Sequence, residues 1–138
     1  MSASLPVKRL VSLVVIVLAA VALRLYGPAE LFPPLLIQYG YWAFWAAALY
    51  FLASLLMPAR PQKQILVIAA LVCTLVEISK ISHLTTLDIF RLTPVGDWIL
   101  GRGFSFLNFL AYAFGLDLAW GLDALLSRPR RKSRARRR

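Results

Sequence analysis

Four long apolar stretches dominate the chain, and each has a length that few structures other than a membrane-crossing helix can use. A helix needs about 20 predominantly apolar residues to cross about 30 Å of hydrocarbon, because lipid offers no partner to an unpaired backbone N–H or C=O. The first stretch runs from Leu10 to Tyr26 and the second lies between Leu31 and Ala59. The third runs from Ile65 to Leu84, and the fourth from Phe104 to Leu126. The connections PAELFPP and MPARPQK separate the first three, and their prolines end helices by removing a backbone donor and crowding the preceding turn. With 60% of residues hydrophobic, 16% charged and a mean hydropathy of +0.71, the composition is that of a membrane protein. These features predict an all-α integral membrane protein with four transmembrane helices. They form one domain over residues 1–126, followed by a basic tail over 127–138.

Positive charge is placed unevenly around these stretches. Lys8 and Arg9 precede the first, Arg60 and Lys63 lie between the second and third, and eight basic residues fill the tail from Arg128 to Arg138, so twelve of sixteen Lys and Arg fall on one side. Cytoplasmic flanks accumulate such charge, which predicts both termini in the cytoplasm and Arg24, Arg91 and Arg102 near the outer surface. The aromatics of QYGYWAFW and Trp98 are expected in the outer interfacial belt. The tail SRPRRKSRARRR reads as disordered without a partner and suited to anionic lipid. Its proximity to the membrane favours lipid over nucleic acid, and its arginines are near enough in sequence to hold Asp117 and Asp123. Lys8, Arg9 and the pattern Ala20, Val21, Ala22 also resemble a secretory signal, although an apolar run of this length anchors equally well. The single cysteine, Cys73, lies in mid-span and reads as a small apolar residue.

The third stretch raises a separate question, because LVCTLVEISKISHL takes on Glu77, Lys80 and His83. Spaced three apart on a helix, they share a broad face in its outer half, with Glu77 about 18 Å along from Ile65. A lone charge at such depth is costly, whereas Glu77 and Lys80 can pair, so this face is expected to look inward. In the fourth stretch Ser105, Asn108, Tyr112 and Gly115 form one helical stripe beside the small-residue pattern Ala111, Gly115, Ala119. Packing the two faces together predicts an outward-opening polar pocket of Glu77, Lys80, His83, Asn108 and Tyr112.

Between these stretches lies TTLDIFRLTPVGDWILGRG, too polar and too interrupted by Pro94 and Gly96 to span. It reads as an interfacial or re-entrant segment over the mouth of the pocket, with Asp88, Arg91, Asp97 and Arg102 around the rim.

The region LDIFRLTPVGDWILGRGFSFLNFLAYAFG resembles the most recognisable part of the bacterial domain-of-unknown-function 2809 family, which is itself VanZ-like. The resemblance is carried by Glu77 in the third span, Arg91 in the following segment, Leu100 with Gly101, and Ala111 with Tyr112 and Gly115. The chain departs from that pattern at Lys80, where the family commonly has glutamine, and at Ser105 and Asn108, where it has aspartates. The pocket thereby loses two acids and gains a base relative to the family, which implies a less negative pocket or a different ligand. The resemblance implies a bacterial inner-membrane location and no assigned reaction, and links the chain to proteins associated with glycopeptide antibiotic tolerance at the cell envelope.

Three functions follow, in this order. The first is an outward pocket for a lipid or envelope amphiphile, formed by Glu77, Lys80, His83, Asn108 and Tyr112 with Arg91 and Arg102 as forks for phosphate or carboxylate. The second is a structural or accessory subunit, alone as a homo-oligomer or with a membrane partner, in which Glu77 and Lys80 fix helix register without a ligand. The third, an intramembrane enzyme, has no named nucleophile and base, no metal ligands and no cofactor motif to rest on: there is one histidine and no HExxH, GxSxG, P-loop or cysteine pair.

Overall fold

The computed structural model describes residues 4–27 and 30–128, and among them every regular element is helical. Their order is α1 (Leu5–Tyr26), α2 (Pro34–Leu56), α3 (Gln62–Ser79), α4 (Thr85–Leu92), α5 (Pro94–Ile99) and α6 (Phe106–Leu126). The basic tail expected to be disordered lies, from residue 129 onward, outside the described residues. Proline does the punctuation: it opens α1, α2 and α5 within the first two positions and stands at the N-caps of α2 and α3.

Helices α1, α2, α3 and α6 are long and apolar enough to cross a membrane. Their outward faces expose large hydrophobic side chains, among them Val14, Leu18, Leu52, Leu71, Leu75, Leu110 and Leu118. Water would not tolerate such a surface over a whole small protein, whereas hydrocarbon would. Helix α2 is central, with α1 on one side and α6 on the other, while α3 fills the angle between α2 and α6. Gly115 sits where α6 meets α2 most closely, since a Cβ there would run into the carbonyl of Ala43. On α3 the buried stripe is Ile65, Ala69, Cys73 and Glu77, each four residues from the last.

Two helix boundaries lie five residues from the sequence reading. Helix α1 starts at Leu5, so Lys8 and Arg9 are helical, and Arg9 is buried because it has found a carboxylate on α6. Helix α3 stops at Ser79, where the hydroxyls of Ser79 and Ser82 turn back to the carbonyls of Val76 and Ser79. His83 is therefore in the turn after α3, on no helical face. The segment between α3 and α6 is two short helices. Pro94 begins α5, and the Thr93 hydroxyl caps it by accepting from the Gly96 N–H at 3.0 Å.

Candidate functional site

Both buried acids of the bundle are surrounded by donors, one at each end. At the end bearing α4 and α5, Glu77 projects from the last turn of α3 and is wholly buried. Its Oε1 accepts from the Ser105 N–H at 2.8 Å and from Asn108 Nδ2 at 2.9 Å. Its Oε2 accepts from Lys80 Nζ at 2.7 Å and from the Tyr112 hydroxyl at 2.6 Å. The carboxylate thus joins α3 to α6 through one cation and three neutral donors. Lys80 also stands 4.4 Å from the centre of the Trp42 ring, a cation–π contact that brings in α2. Gly101 closes the top at φ +67°, and a Cβ there would lie 2.7 Å from the Trp42 ring. This accounts locally for the Leu100–Gly101 turn.

The structure therefore brings together Glu77, Lys80, Asn108 and Tyr112, as the helical spacing predicts, but it does so as a closed network. His83 is not part of it. Its side chain is 88% exposed and lies 3.9 Å from Asp88, because α3 ends before it. Arg91 is buried instead of lying at an open rim, with NH1 on Asp88 at 2.9 Å and NH2 on the Ser79 hydroxyl at 2.8 Å. Tyr41 and Trp42 are likewise buried, which overturns their expected place in a lipid-facing belt. The Tyr41 hydroxyl donates to the Trp98 carbonyl at 2.6 Å, and Trp42 is held under Lys80.

A cavity of about 300 Å³ does open beside this network, between α1, α2, α5 and the start of α6. Its wall includes Arg24, Gln38, Trp42, Asp97, Arg102 and Asn108. Asp97 pairs with Arg24 at 2.6 Å and with Arg102 at 3.1 Å, and the Arg24 guanidinium lies over the rings of Tyr41 and Trp98. The Arg102 side chain remains 60% exposed. Asn108 belongs both to the network and to the cavity wall: Glu77 takes its Nδ2, and its buried Oδ1 has no partner among the described residues. An unpaired buried acceptor costs about 1–3 kcal/mol. Further along the same seam, an apolar groove of about 260 Å³ is lined by Ile16 of α1, Gly40, Ala43, Phe44 and Ala47 of α2, and Gly115 and Leu118 of α6, among others.

The opposite end holds a cluster that the sequence reading missed. Asp123 of α6 is wholly buried and accepts from Arg9 Nε and NH2 at 2.8 Å each, from Gln62 at 2.8 Å and from the Tyr50 hydroxyl at 3.1 Å. One carboxylate thereby ties together α1, α2, α3 and α6. Arg9 occupies Asp123 in a fork, while the tail arginines beyond Arg128 that were expected to hold it lie outside the described residues; Asp117 is exposed. No group of three or more His, Cys, Asp or Glu side chains placed to hold a metal occurs among the described residues.

The family model described as Protein of unknown function (DUF2809) matches residues 33–116, more than half of the chain. The match spans α2 to the middle of α6 and so contains the whole Glu77 network. No curated protein and no solved structure matches the chain.

Proposed function

The chain belongs to the DUF2809 family of proteins of unknown function, and from that premise we propose that it is a VanZ-like protein of the bacterial inner membrane that holds a lipid or other envelope amphiphile. The observation that carries this reading is the order of the two spaces on the α1–α2–α6 seam. A polar cavity with Arg24, Arg102 and Gln38 in its wall stands at one end, and the apolar groove lies nearer the middle of the bundle. A headgroup and a chain need these surroundings in this order. Arginine forks suit a phosphate or carboxylate on such a headgroup. In the proposed orientation both termini are cytoplasmic, the cavity faces the outer leaflet, and the basic tail meets anionic lipid on the inner side.

Thermal unfolding of the purified protein in a neutral detergent tests this, with phosphatidylglycerol or phosphatidylethanolamine added. A bound lipid at a hundredfold excess over its Kd adds about 2.7 kcal/mol, which appears as a rise in Tm. Arg102→Ala is expected to lose most of that rise. Identical melting with and without every lipid sinks the proposal.

The second reading, a structural or accessory subunit, draws support from the Glu77 and Asp123 networks, since a fully satisfied buried ion fixes register without needing a ligand.

A further inference from the structure

The charges in the wall of the cavity between α1, α2, α5 and the start of α6 do not balance. Arg24 and Arg102 bring two guanidiniums, and Asp97 of α5 is the carboxylate between them, 2.6 Å from one and 3.1 Å from the other. The chain has six acids, and none of the other five corrects the difference. Glu77, Asp88 and Asp123 are each paired with a cation of their own, Lys80, Arg91 and Arg9. Asp117 lies midway along α6 and Glu30 in the connection before α2, and neither lines the cavity. Residues 1–3, 28–29 and 129–138 contain no Asp or Glu, so their side chains can only add positive charge. The wall therefore carries one positive charge in excess.

That excess is held in a form an anion can use and a cation cannot. A guanidinium has five N–H donors, and Arg24 and Arg102 each meet Asp97 through one nitrogen, which leaves further donors on both. Arg24 is fixed in place, 4.8 Å from the centre of the Tyr41 ring and 5.1 Å from that of Trp98. Arg102 is largely exposed, so it can turn to a second oxyanion without leaving a buried contact. Asp97 has one oxygen against each arginine, so an incoming ammonium would have to displace a guanidinium to reach it.

On the premise that this cavity holds a headgroup, we infer that it selects an amphiphile whose headgroup carries one net negative charge, a phosphodiester or a carboxylate. Such a group brings the local sum to zero. A zwitterion leaves the excess in place and sets its ammonium beside two guanidiniums, while a phosphomonoester, with about −1.5 to −2 charges at neutral pH, overshoots and meets Asp97.

The test compares phosphatidylglycerol, phosphatidylethanolamine and phosphatidic acid with the same acyl chains, titrated into the full chain in a neutral detergent at neutral pH. Apparent affinities are read from the rise in Tm over the lipid-free value of each variant. The unaltered protein is expected to bind phosphatidylglycerol about tenfold more tightly than phosphatidylethanolamine. Arg102→Gln closes the charge count and is expected to abolish that preference. Asp97→Asn raises the excess to two and is expected to move the ratio of phosphatidic acid to phosphatidylglycerol binding about tenfold toward phosphatidic acid. No rise with any lipid overturns the underlying reading and the inference with it. An equal rise with chain-free glycerophosphoglycerol overturns the lipid reading and leaves the charge selection standing for a soluble anion. A rise in which phosphatidylethanolamine matches or exceeds phosphatidylglycerol overturns the inference alone, and so does a preference that Arg102→Gln leaves intact.

Discussion

Glu77 and Lys80 are unequal partners, and the inequality can be measured. Glu77 has four donors, of which Lys80 is one, while the Lys80 ammonium has Glu77 and the Trp42 ring. Glu77→Gln leaves a buried ammonium without its counter-ion and is expected to cost about 3–5 kcal/mol. Lys80→Gln is expected to cost less, since three neutral donors still hold the carboxylate. The double change to Gln is expected to recover part of the Glu77→Gln loss, because no unpaired charge remains. Thermal unfolding of the three variants reads the coupling directly, and small additive effects would show that both side chains reach water in solution. The meeting of Glu77, Lys80, Asn108 and Tyr112 was legible in the sequence, because helical spacing fixes which residues share a face. Two contributors were not. The Ser105 donor is a backbone N–H, which no residue type announces, and Trp42 is an aromatic whose sequence context suits an interfacial belt equally well. His83 was misread because its spacing from Lys80 has meaning only if the helix continues past Ser79, and the serine hydroxyls there turn the chain instead.

At the scale of the elements, α1 is attached by its ends. Its middle is lined by Val and Leu exposed to the surroundings, but Arg9 is locked to Asp123 at one end and Arg24 to Asp97 at the other. The two pairs differ in burial, so they should differ in strength. Asp123→Asn strands the buried Arg9 and is expected to cost about 3–5 kcal/mol, whereas Asp97→Asn, at a half-buried pair, is expected to cost about 1 kcal/mol or less. Replacing Arg9 with Met and Asp123 with Leu together is expected to restore much of the loss, because the bundle then buries apolar groups in place of a broken pair. Unfolding by a denaturing detergent, followed by circular dichroism, compares the variants, and equal losses at the two sites would contradict the distinction. The Arg9–Asp123 pair was invisible to sequence reasoning for a plain reason: its members are 114 residues apart, and the arginine's position among flanking charges made it read as a topological signal. The four spans were legible because hydrocarbon imposes length and apolarity locally. Which span lies against which is set by small residues such as Gly115, and these fit several neighbours until the backbone contact with Ala43 is seen.

For the whole molecule, the proposed orientation rests on charge, and most of that charge is in one place. Lys8, Arg9, Arg60 and Lys63 lie at the end bearing the termini, and Arg24, Lys80, Arg91 and Arg102 at the other. Arg128 to Arg138 supply the remaining eight basic residues, so removing them leaves four against four. The positive-inside bias then has nothing to act on, and the buried pairs Arg9–Asp123 and Lys80–Glu77 shrink the usable charge on both sides alike. In the full chain, reporter fusions at Arg60 and after Arg138 are expected to read cytoplasmic, and one near Gly96 to read external. In the truncated chain, the fusions at Arg60 and Gly96 are expected to report a mixture of orientations, while the protein that does insert keeps its Tm, because none of the described networks draws on the deleted residues. A cytoplasmic reading at Gly96 in the full chain would reverse the proposed topology and place the cavity on the inner side. A single orientation retained after truncation would instead transfer control of topology from the tail to the short basic connections that remain.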